Sequence, residues 1–278
     1  MRPFPHRRDP IRRNISGMDM NLTDKVVVVT GASKGIGLAI CQAFAEAGAF
    51  VIAGARRNTP ELQALEAAGS ATFVSTDLST PEGPRTLIAA AAERGGVDVL
   101  VNNAGAVETR FDGILSVTDE QWEAALTLNF LSAVRTTREA VPAMLARGGG
   151  AIVMIGSINA TLPEWNIVDY SATKAALANF AKSLSKEFGR KGIRVNTVSP
   201  GPVSTDLWLA DDGVAAKFAA ATGATADDVV ASVSAGTPTG RFTTPREVAD
   251  LTVFLASSRS GNTTGADVRI DGGYVTTL

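Results

Sequence analysis

One stretch, residues 25–53, constrains the fold of this 278-residue chain more than any other. Residues 25–30 (KVVVVT) form an unbroken β-branched run, which is typical of a strand buried on both faces of a parallel sheet. A glycine-rich turn follows at 31–37 (GASKGIG), then a helical pattern with its apolar residues on one face, then a second apolar run at 50–53. This βαβ order predicts a parallel sheet covered by helices.

The turn between this strand and helix has the composition of a phosphate-binding site. Gly31, Gly35 and Gly37 allow the backbone to approach a pyrophosphate, and the helix N-terminus supplies free N–H groups and the positive end of its dipole. A purely structural turn can have the same glycines, but the position between strand and helix favours dinucleotide binding. The spacing is T-G-x-x-x-G-x-G, which differs from the general G-x-G-x-x-G fingerprint.

Basic residues stand where such a site selects its nucleotide. Enzymes that use NAD usually place a carboxylate about 20 residues beyond the glycines, yet no acid occurs here between Glu46 and Glu61. Arg56 and Arg57 follow the second strand instead, and Lys34 lies inside the turn. A guanidinium suits a 2′-phosphate, so the sequence favours NADP(H), with NAD(H) and solvated surface cations as the alternatives.

Scarce residue types narrow the chemistry. Cys41 is the only cysteine and His6 the only histidine, which argues against a disulfide, a metal site or a Ser-His-Asp triad. The only tyrosines are Tyr170 and Tyr274. The net charge of -2 gives no sign of nucleic-acid binding, and no apolar run reaches the length of a membrane span.

Tyr170 and Lys174 lie four residues apart on one face of a predicted helix over 170–188. An ammonium there can lower the pKa of the phenol and make it a proton donor and acceptor, although such a pair alone is a common coincidence. Ser157 follows a predicted buried strand at 151–155. Ligands of open α/β sheets lie outside the carboxyl ends of the strands, so the three side chains are expected to converge.

A further predicted helix, a long one, begins at the capping box 118–121 (TDEQ). Its apolar stripe includes Trp122, Leu126 and Phe130, and Asn129 faces the same general way. A buried amide must be hydrogen-bonded, and bonding to its own helix is one simple outcome.

Together these motifs resemble those of the short-chain dehydrogenase/reductase family in its shorter, single-domain form. The resemblance covers about residues 23–275 and includes NNAG at 102–105, YSATK at 170–174 and PGPVST at 200–205. It implies a Rossmann-like, doubly wound parallel sheet of about seven strands in a three-layer α/β/α arrangement. It also implies hydride transfer between a nicotinamide and a carbonyl or secondary alcohol, a homotetramer or dimer, and a cytoplasmic location.

The resemblance assigns roles to individual residues. Tyr170 becomes the general acid and base, and Lys174 lowers its pKa and binds the nicotinamide ribose. Ser157 orients the substrate oxygen, and Asn129 holds a water that relays protons. Asp77 would contact the adenine end, in an implied cofactor set of Gly31, Ser33, Lys34, Gly35, Ile36, Gly37, Arg56, Arg57, Asp77, Leu78, Asn103, Ala104, Gly105, Tyr170, Lys174, Pro200, Gly201, Val203 and Thr205.

Three of these contacts carry further detail. The resemblance places Asn103 along the cofactor ribose, but an asparagine at this turn can equally have a purely architectural role. It also implies that the Val203 backbone and the Thr205 hydroxyl hold the nicotinamide carboxamide and the phosphates.

The domain organisation is predicted to be simple. Residues 1–20, with five arginines and three prolines, form an extension that is expected to be disordered, to precede a later start codon, or to be a transit peptide. Residues 21–278 form one domain. Within it, residues 206–240 are interpreted as a helical substrate lid, or as an ordinary surface helix pair.

The sequence therefore predicts an NADP(H)-dependent oxidoreductase that needs no metal. The apolar lid and Trp165 favour a hydrophobic or medium-sized carbonyl compound, for example a 3-oxoacyl thioester, while a sugar, a steroid or a xenobiotic ketone stays open. One alternative is a regulator that senses NADP(H) without turnover. Another is an epimerase or dehydratase of the longer branch, although the chain leaves little room for its extra substrate domain.

Overall fold

The computed structural model describes residues 19–277 and has a single parallel sheet of seven strands. The strand order is β3-β2-β1-β4-β5-β6-β7, so the winding direction reverses between β1 and β4. Ligand sites of open α/β sheets lie at such a reversal. The strands are β1 Val26–Thr30, β2 Phe50–Ala55, β3 Ala71–Ser75, β4 Val99–Asn102, β5 Gly150–Ile155, β6 Ile193–Pro200 and β7 Asp267–Ile270.

Helices cover both faces of this sheet and give the predicted three layers. Helices α1 and α10 pack on one face, and α3, α5 and α6 on the other. The helices are α1 Gly35–Glu46, α2 Pro60–Ala67, α3 Glu82–Ala92, α4 Asp119–Leu126, α5 Ser132–Ala146, α6 Val168–Phe188, α7 Asp206–Leu209, α8 Val214–Thr222, α9 Ala226–Ala235 and α10 Pro245–Ala256.

Strand β1 shows why its sequence is apolar at every position. Val27 and Val29 belong to the core on the α1 side, whereas Val26 and Val28 belong to the core on the opposite side. Successive side chains of a strand point to opposite faces, and here both faces are buried. Full burial of a valine side chain stabilises by ~1.5–3 kcal/mol relative to exposure, so β1 anchors both cores.

The structure differs from the sequence prediction in three helical regions. The long helix expected from the capping box at 118–121 is present, but it contains an unpredicted π-helical segment, Thr127–Leu131, between α4 and α5. Helix α2 was not predicted, and it begins with Pro60 after the side chain of Thr59 caps the N–H of Leu62. Helix α6 begins at Val168, two residues before the predicted start.

Two other predicted segments are seen in part. Of the extension 1–20, only Asp19 and Met20 fall within the described residues. Asp19 accepts a hydrogen bond from Arg259, and Met20 packs against the core. The predicted lid, 206–240, contains α7, α8 and α9. Between residues 19 and 277, no helix is both long enough and apolar enough to cross a membrane.

Candidate active site

A cavity of about 1280 Å³ lies at the carboxyl ends of the central strands. Its walls come from the glycine turn, the ends of β2 to β6, the start of α6 and the predicted lid. Every residue that the sequence assigned to catalysis or cofactor binding lines this cavity, except Asn129. Segments that are far apart in the chain therefore meet where the sheet topology places a ligand.

The glycine turn forms a cradle that side chains would fill. Gly31 and Gly35 have φ values of +66° and +54°, which favour glycine. A Cβ on Gly37 would lie 2.1 Å from the carbonyl oxygen of Gly31 and 2.5 Å from Nδ2 of Asn103. Within the described residues no side chain caps the N-terminus of α1, and the first residues of this helix line the cavity. This cradle fits a pyrophosphate.

Asn103 ties β4 to the same turn. Its Nδ2 donates to the carbonyl oxygens of Thr30 at 2.9 Å and Gly31 at 3.1 Å. The backbone N–H groups of Asn103 and Ala104 both donate to the hydroxyl of Thr30. The architectural role is thus observed, and Asn103 also lines the cavity, as its predicted place beside the cofactor requires.

Cations without a carboxylate partner line the far end of the cavity. Lys34, Arg56 and Arg57 are exposed there, and none of them forms an ion pair within residues 19–277. Asp77 lies nearby, and its pKa is lowered mainly by hydrogen bonds from Ser79 and more weakly by the charge of Arg56. The free guanidinium groups fit a nucleotide that has an additional phosphate.

The three predicted proton-transfer residues meet at the end of β5. Ser157 follows that strand, and Tyr170 and Lys174 project from α6. Burial raises the pKa of Tyr170, and the nearby hydroxyl of Ser157 offsets only part of this rise. Lys174 is 4% exposed, and burial lowers its pKa to about 8. Its Nζ lies 5.5 Å from the centroid of the Tyr170 ring, and the expected effect of Lys174 on the pKa of the phenol stays a prediction.

Asn129 lies behind the cavity wall, in the π-helical segment. Its Nδ2 donates to the carbonyl oxygen of Ala125 at 3.1 Å, and its Oδ1 accepts from the N–H of Ala106 at 2.9 Å. A Cβ on Gly105 would lie 2.7 Å from this Oδ1 and 3.6 Å from Nζ of Lys174. Asn129 therefore supports the backbone beside the lysine, and its role in a water relay stays a prediction.

The turn after β6 is placed against the glycine cradle. Val203 forms an isolated parallel bridge with Thr243, and the side chain of Thr205 lies 3.4 Å from the position of a Cβ on Gly35. Pro200 and Gly201 line the cavity beside them. The structure thus brings the PGPVST segment next to the turn that it would face across a bound nucleotide.

Sequence reasoning missed a residue that orients the serine. The hydroxyl of Ser157 donates to Oδ1 of Asn159 at 3.0 Å and accepts from the N–H of Asn159 at 3.1 Å. Nδ2 of Asn159 is fixed in turn by the carbonyl oxygen of Leu162. The available signal was local, because serine often bonds to the backbone two residues further on.

The topology, the glycine cradle and the Ser–Tyr–Lys group define a nucleotide-binding oxidoreductase of the Rossmann type. A family model described as short chain dehydrogenase matches residues 25–212. The chain therefore belongs to the short-chain dehydrogenase family. Within the residues described, no group of three or more His, Cys, Asp or Glu side chains could hold a metal ion.

Named relatives and solved structures agree with this family. The chain is 36% identical to a 3-oxoacyl-[acyl-carrier-protein] reductase of Escherichia coli, and the match covers 91% of this chain and 98% of that protein. It is 34% identical, with the same coverage, to an acetoacetyl-CoA reductase of Cupriavidus necator. The structure of L-sorbose reductase from Gluconobacter frateurii, complexed with NADPH and L-sorbose, has a TM-score of 0.86, 38% identity and coverage of 94% of this chain and 100% of that chain. The chain is thus an oxidoreductase that acts on CH–OH groups.

Proposed function

We propose that this protein interconverts a carbonyl compound and a secondary alcohol with NADP(H), using Tyr170 as the general acid and base. The observation that supports it most is that Ser157, Tyr170 and Lys174 share one cavity with the glycine cradle and with three cations that form no ion pair within residues 19–277. A regulator that only senses the nucleotide has no need of this proton-transfer group.

The residues that would hold the nucleotide follow from the cradle and its surroundings. The backbone at Gly31–Gly37 would bind the pyrophosphate, Arg56, Arg57 and Lys34 a 2′-phosphate, and Asp77 with Leu78 the adenine end. The remaining contacts would come from the ribose and nicotinamide end of the cavity: Ser33, Asn103, Ala104, Gly105, Tyr170, Lys174, Pro200, Gly201, Val203 and Thr205. When bound, NADPH supplies a hydride to the carbonyl carbon.

The side chains that handle the proton come from the start of α6 and from the segment that follows β5. When substrate binds, the hydroxyl of Ser157 turns its proton from Oδ1 of Asn159 to the substrate oxygen and stabilises the negative charge that develops there. Tyr170 gives its phenol proton to that oxygen during reduction, and takes it back during oxidation. The buried ammonium of Lys174 stabilises the phenolate that results, and Asn129 positions the water through which the proton is replaced.

Two substrate classes are candidates for binding at the lid end of the cavity. Apolar side chains there, among them Trp165, Trp208 and Phe218, suit a hydrophobic ketone, and the reductases of 3-oxoacyl and acetoacetyl thioesters are relatives. However, among residues 19–277 all the cavity-lining cations lie at the cofactor end or beside Tyr170, whereas Glu164 and Asp206 line the lid end. The phosphates of a thioester carrier would meet no cation from these residues there, which favours a neutral ketone, including a sugar such as that named for the L-sorbose reductase.

A substrate panel tests this proposal. Oxidation of NADPH and of NADH is followed by absorbance with acetoacetyl-CoA, L-sorbose and a small hydrophobic β-keto ester. We expect turnover with NADPH and at least one neutral ketone, and weaker turnover with acetoacetyl-CoA. Tight NADPH binding without turnover of any ketone or alcohol would instead support the regulatory alternative.

A further inference from the structure

A buried ion pair joins the catalytic helix to the loop after β4. Arg110 lies in that loop, and its Nε and Nη2 donate to the same oxygen, Oδ2, of Asp169 at 3.3 and 2.8 Å. The side chain of Asp169 is 2% exposed and that of Arg110 is 14% exposed. No other ion pair within residues 19–277 has both side chains so deeply buried.

The carboxylate of Asp169 also holds the backbone N–H of the catalytic residue, Tyr170. Its second oxygen, Oδ1, accepts a hydrogen bond from the N–H of Tyr170 at 2.9 Å. Asp169 lies in the first turn of α6, where the helix dipole stabilises a negative charge. One carboxylate therefore contacts both the loop and the backbone of Tyr170.

The same loop, residues 106–113, is held at two further points on the catalytic side. The N–H of Arg110 donates to the carbonyl oxygen of the buried Asn166 at 2.7 Å, four residues before Tyr170. The N–H of Ala106 donates to Asn129, the residue beside Lys174. The loop is thus fastened to the surroundings of both proton-transfer residues.

On its other side the loop contacts the predicted lid. Glu108 pairs with Lys217 of α8 at 3.1 Å, and the ring of Phe111 meets that of Phe218 edge to face at 5.1 Å between centroids. Phe111 and Phe218 both line the cavity. Loop 106–113 is therefore the link between the lid and the N-terminal end of the catalytic helix.

We propose that Arg110 and Asp169 form a positioning pair that fixes Tyr170 against the substrate oxygen while loop 106–113 is docked on the lid. This inference rests on the proposed role of Tyr170. Burial of two charges is costly, and a pair of this kind is weak as a source of stability alone. Its geometric effect is specific, because a small displacement of a proton donor has a large effect on the rate.

The experiment compares three variants with a matched control. Arg110→Met removes the ion pair, whereas Arg110→Lys keeps the charge and loses the fork. Asp169→Asn keeps an acceptor for the N–H of Tyr170 and loses the charge. The control, Arg85→Met, breaks a pair with Glu139 that joins α3 to α5 away from the cavity. For each protein we measure kcat per NADPH-binding site, the Kd of NADPH, the solvent isotope effect on kcat, and the unfolding midpoint.

We expect kcat to fall about 10- to 100-fold in Arg110→Met, with a larger solvent isotope effect and an unchanged Kd of NADPH. The kcat of Arg110→Lys should lie between those of Arg110→Met and the wild type. The kcat of Asp169→Asn should lie between those of Arg110→Met and Arg110→Lys, and that of Arg85→Met should match the wild type. Wild-type kcat in folded Arg110→Met or Asp169→Asn would overturn the proposal, even if the unfolding midpoint drops. If instead Tyr170→Phe keeps wild-type turnover, the proposed function itself fails.

Discussion

Lys174 donates a hydrogen bond of 2.9 Å from Nζ to the carbonyl oxygen of Ile155, the last residue of β5. Ser157 comes two residues after this acceptor. The bond therefore holds α6 in register with the strand end that presents the serine. Because Lys174 is only 4% exposed, the same bond also gives its ammonium one partner inside the protein.

Replacing the phenol tests the central step. Tyr170→Phe removes one oxygen, so kcat should fall by roughly 10²- to 10⁴-fold. The Kd of NADPH, measured by fluorescence titration, should stay close to the wild-type value, because the cradle and the cations are untouched. Turnover at the wild-type rate would show that another group delivers the proton.

Reversing one cation tests the choice of nucleotide. Arg56→Asp should lower kcat/KM for NADPH and raise the ratio of NADH to NADPH use, because a carboxylate repels a 2′-phosphate and accepts from a 2′-hydroxyl. Arg138→Asp is the matched control, since Arg138 is exposed on α5 and does not line the cavity. An unchanged NADH-to-NADPH ratio in Arg56→Asp would count against the NADP(H) assignment.

Filling the cradle tests the phosphate site. In Gly37→Ala the new Cβ would overlap the carbonyl oxygen of Gly31, so the turn must move. We expect a loss of ~1–3 kcal/mol in the free energy of unfolding and a large rise in the Kd of NADPH. Gly189→Ala is the control, because a Cβ there meets nothing within 4 Å and φ is helical. Equal affinity of both variants for NADPH would show that the glycine turn does not bind the pyrophosphate.

The buried lysine makes stability depend on pH. Burial lowers its pKa to about 8 in the folded chain, against an ordinary lysine value of 10.5. Between these two pKa values the unfolded chain binds more protons than the folded chain. Burial of the charged lysine therefore lowers the free energy of unfolding by its full amount below pH 8, and this loss shrinks as the pH rises toward 10. Lys174→Met should therefore raise the free energy of unfolding at pH 7, by on the order of 2 kcal/mol.

Urea unfolding at pH 7 and pH 9.5 measures this difference. The gap between wild type and Lys174→Met should narrow at the higher pH. Lys186→Met, at an exposed position on the same helix, should show no such change. A gap that widens with pH would contradict the assignment of the lowered pKa to Lys174.

The sequence predicts the parts of the site that are local in the chain. The β1–α1 turn needs glycines at Gly31 and Gly37 because a Cβ at either position would lie too close to neighbouring atoms. Every residue of β1 is buried because both faces of the strand are covered. YSATK and the serine before it likewise depend on strand-end and helix-face positions. These features are visible because each follows from backbone geometry within a few residues.

Other features could not be predicted, for physical reasons. Helix α2 buries only Leu62, so it has little apolar periodicity. Arg110 and Asp169 are 59 residues apart, and nothing in either neighbourhood indicates the other. The π-helical segment at Asn129 adds one residue to a helix without altering its composition, so a period of 3.6 continues to fit on either side.

That added residue determines what a codon deletion at this place in the gene would do. Five residues in π-helical winding turn the chain about as far as four residues in α-helical winding. Deletion of one codon within Thr127–Leu131 other than that of Asn129 would therefore restore α-helical winding and leave α4 and α5 close to their present relative orientation. The wide turn that carries Asn129 would be lost, and with it the hydrogen bond from the N–H of Ala106, although Asn129 itself would still be encoded. At this point in the helix, an in-frame deletion is equivalent to losing a functional residue.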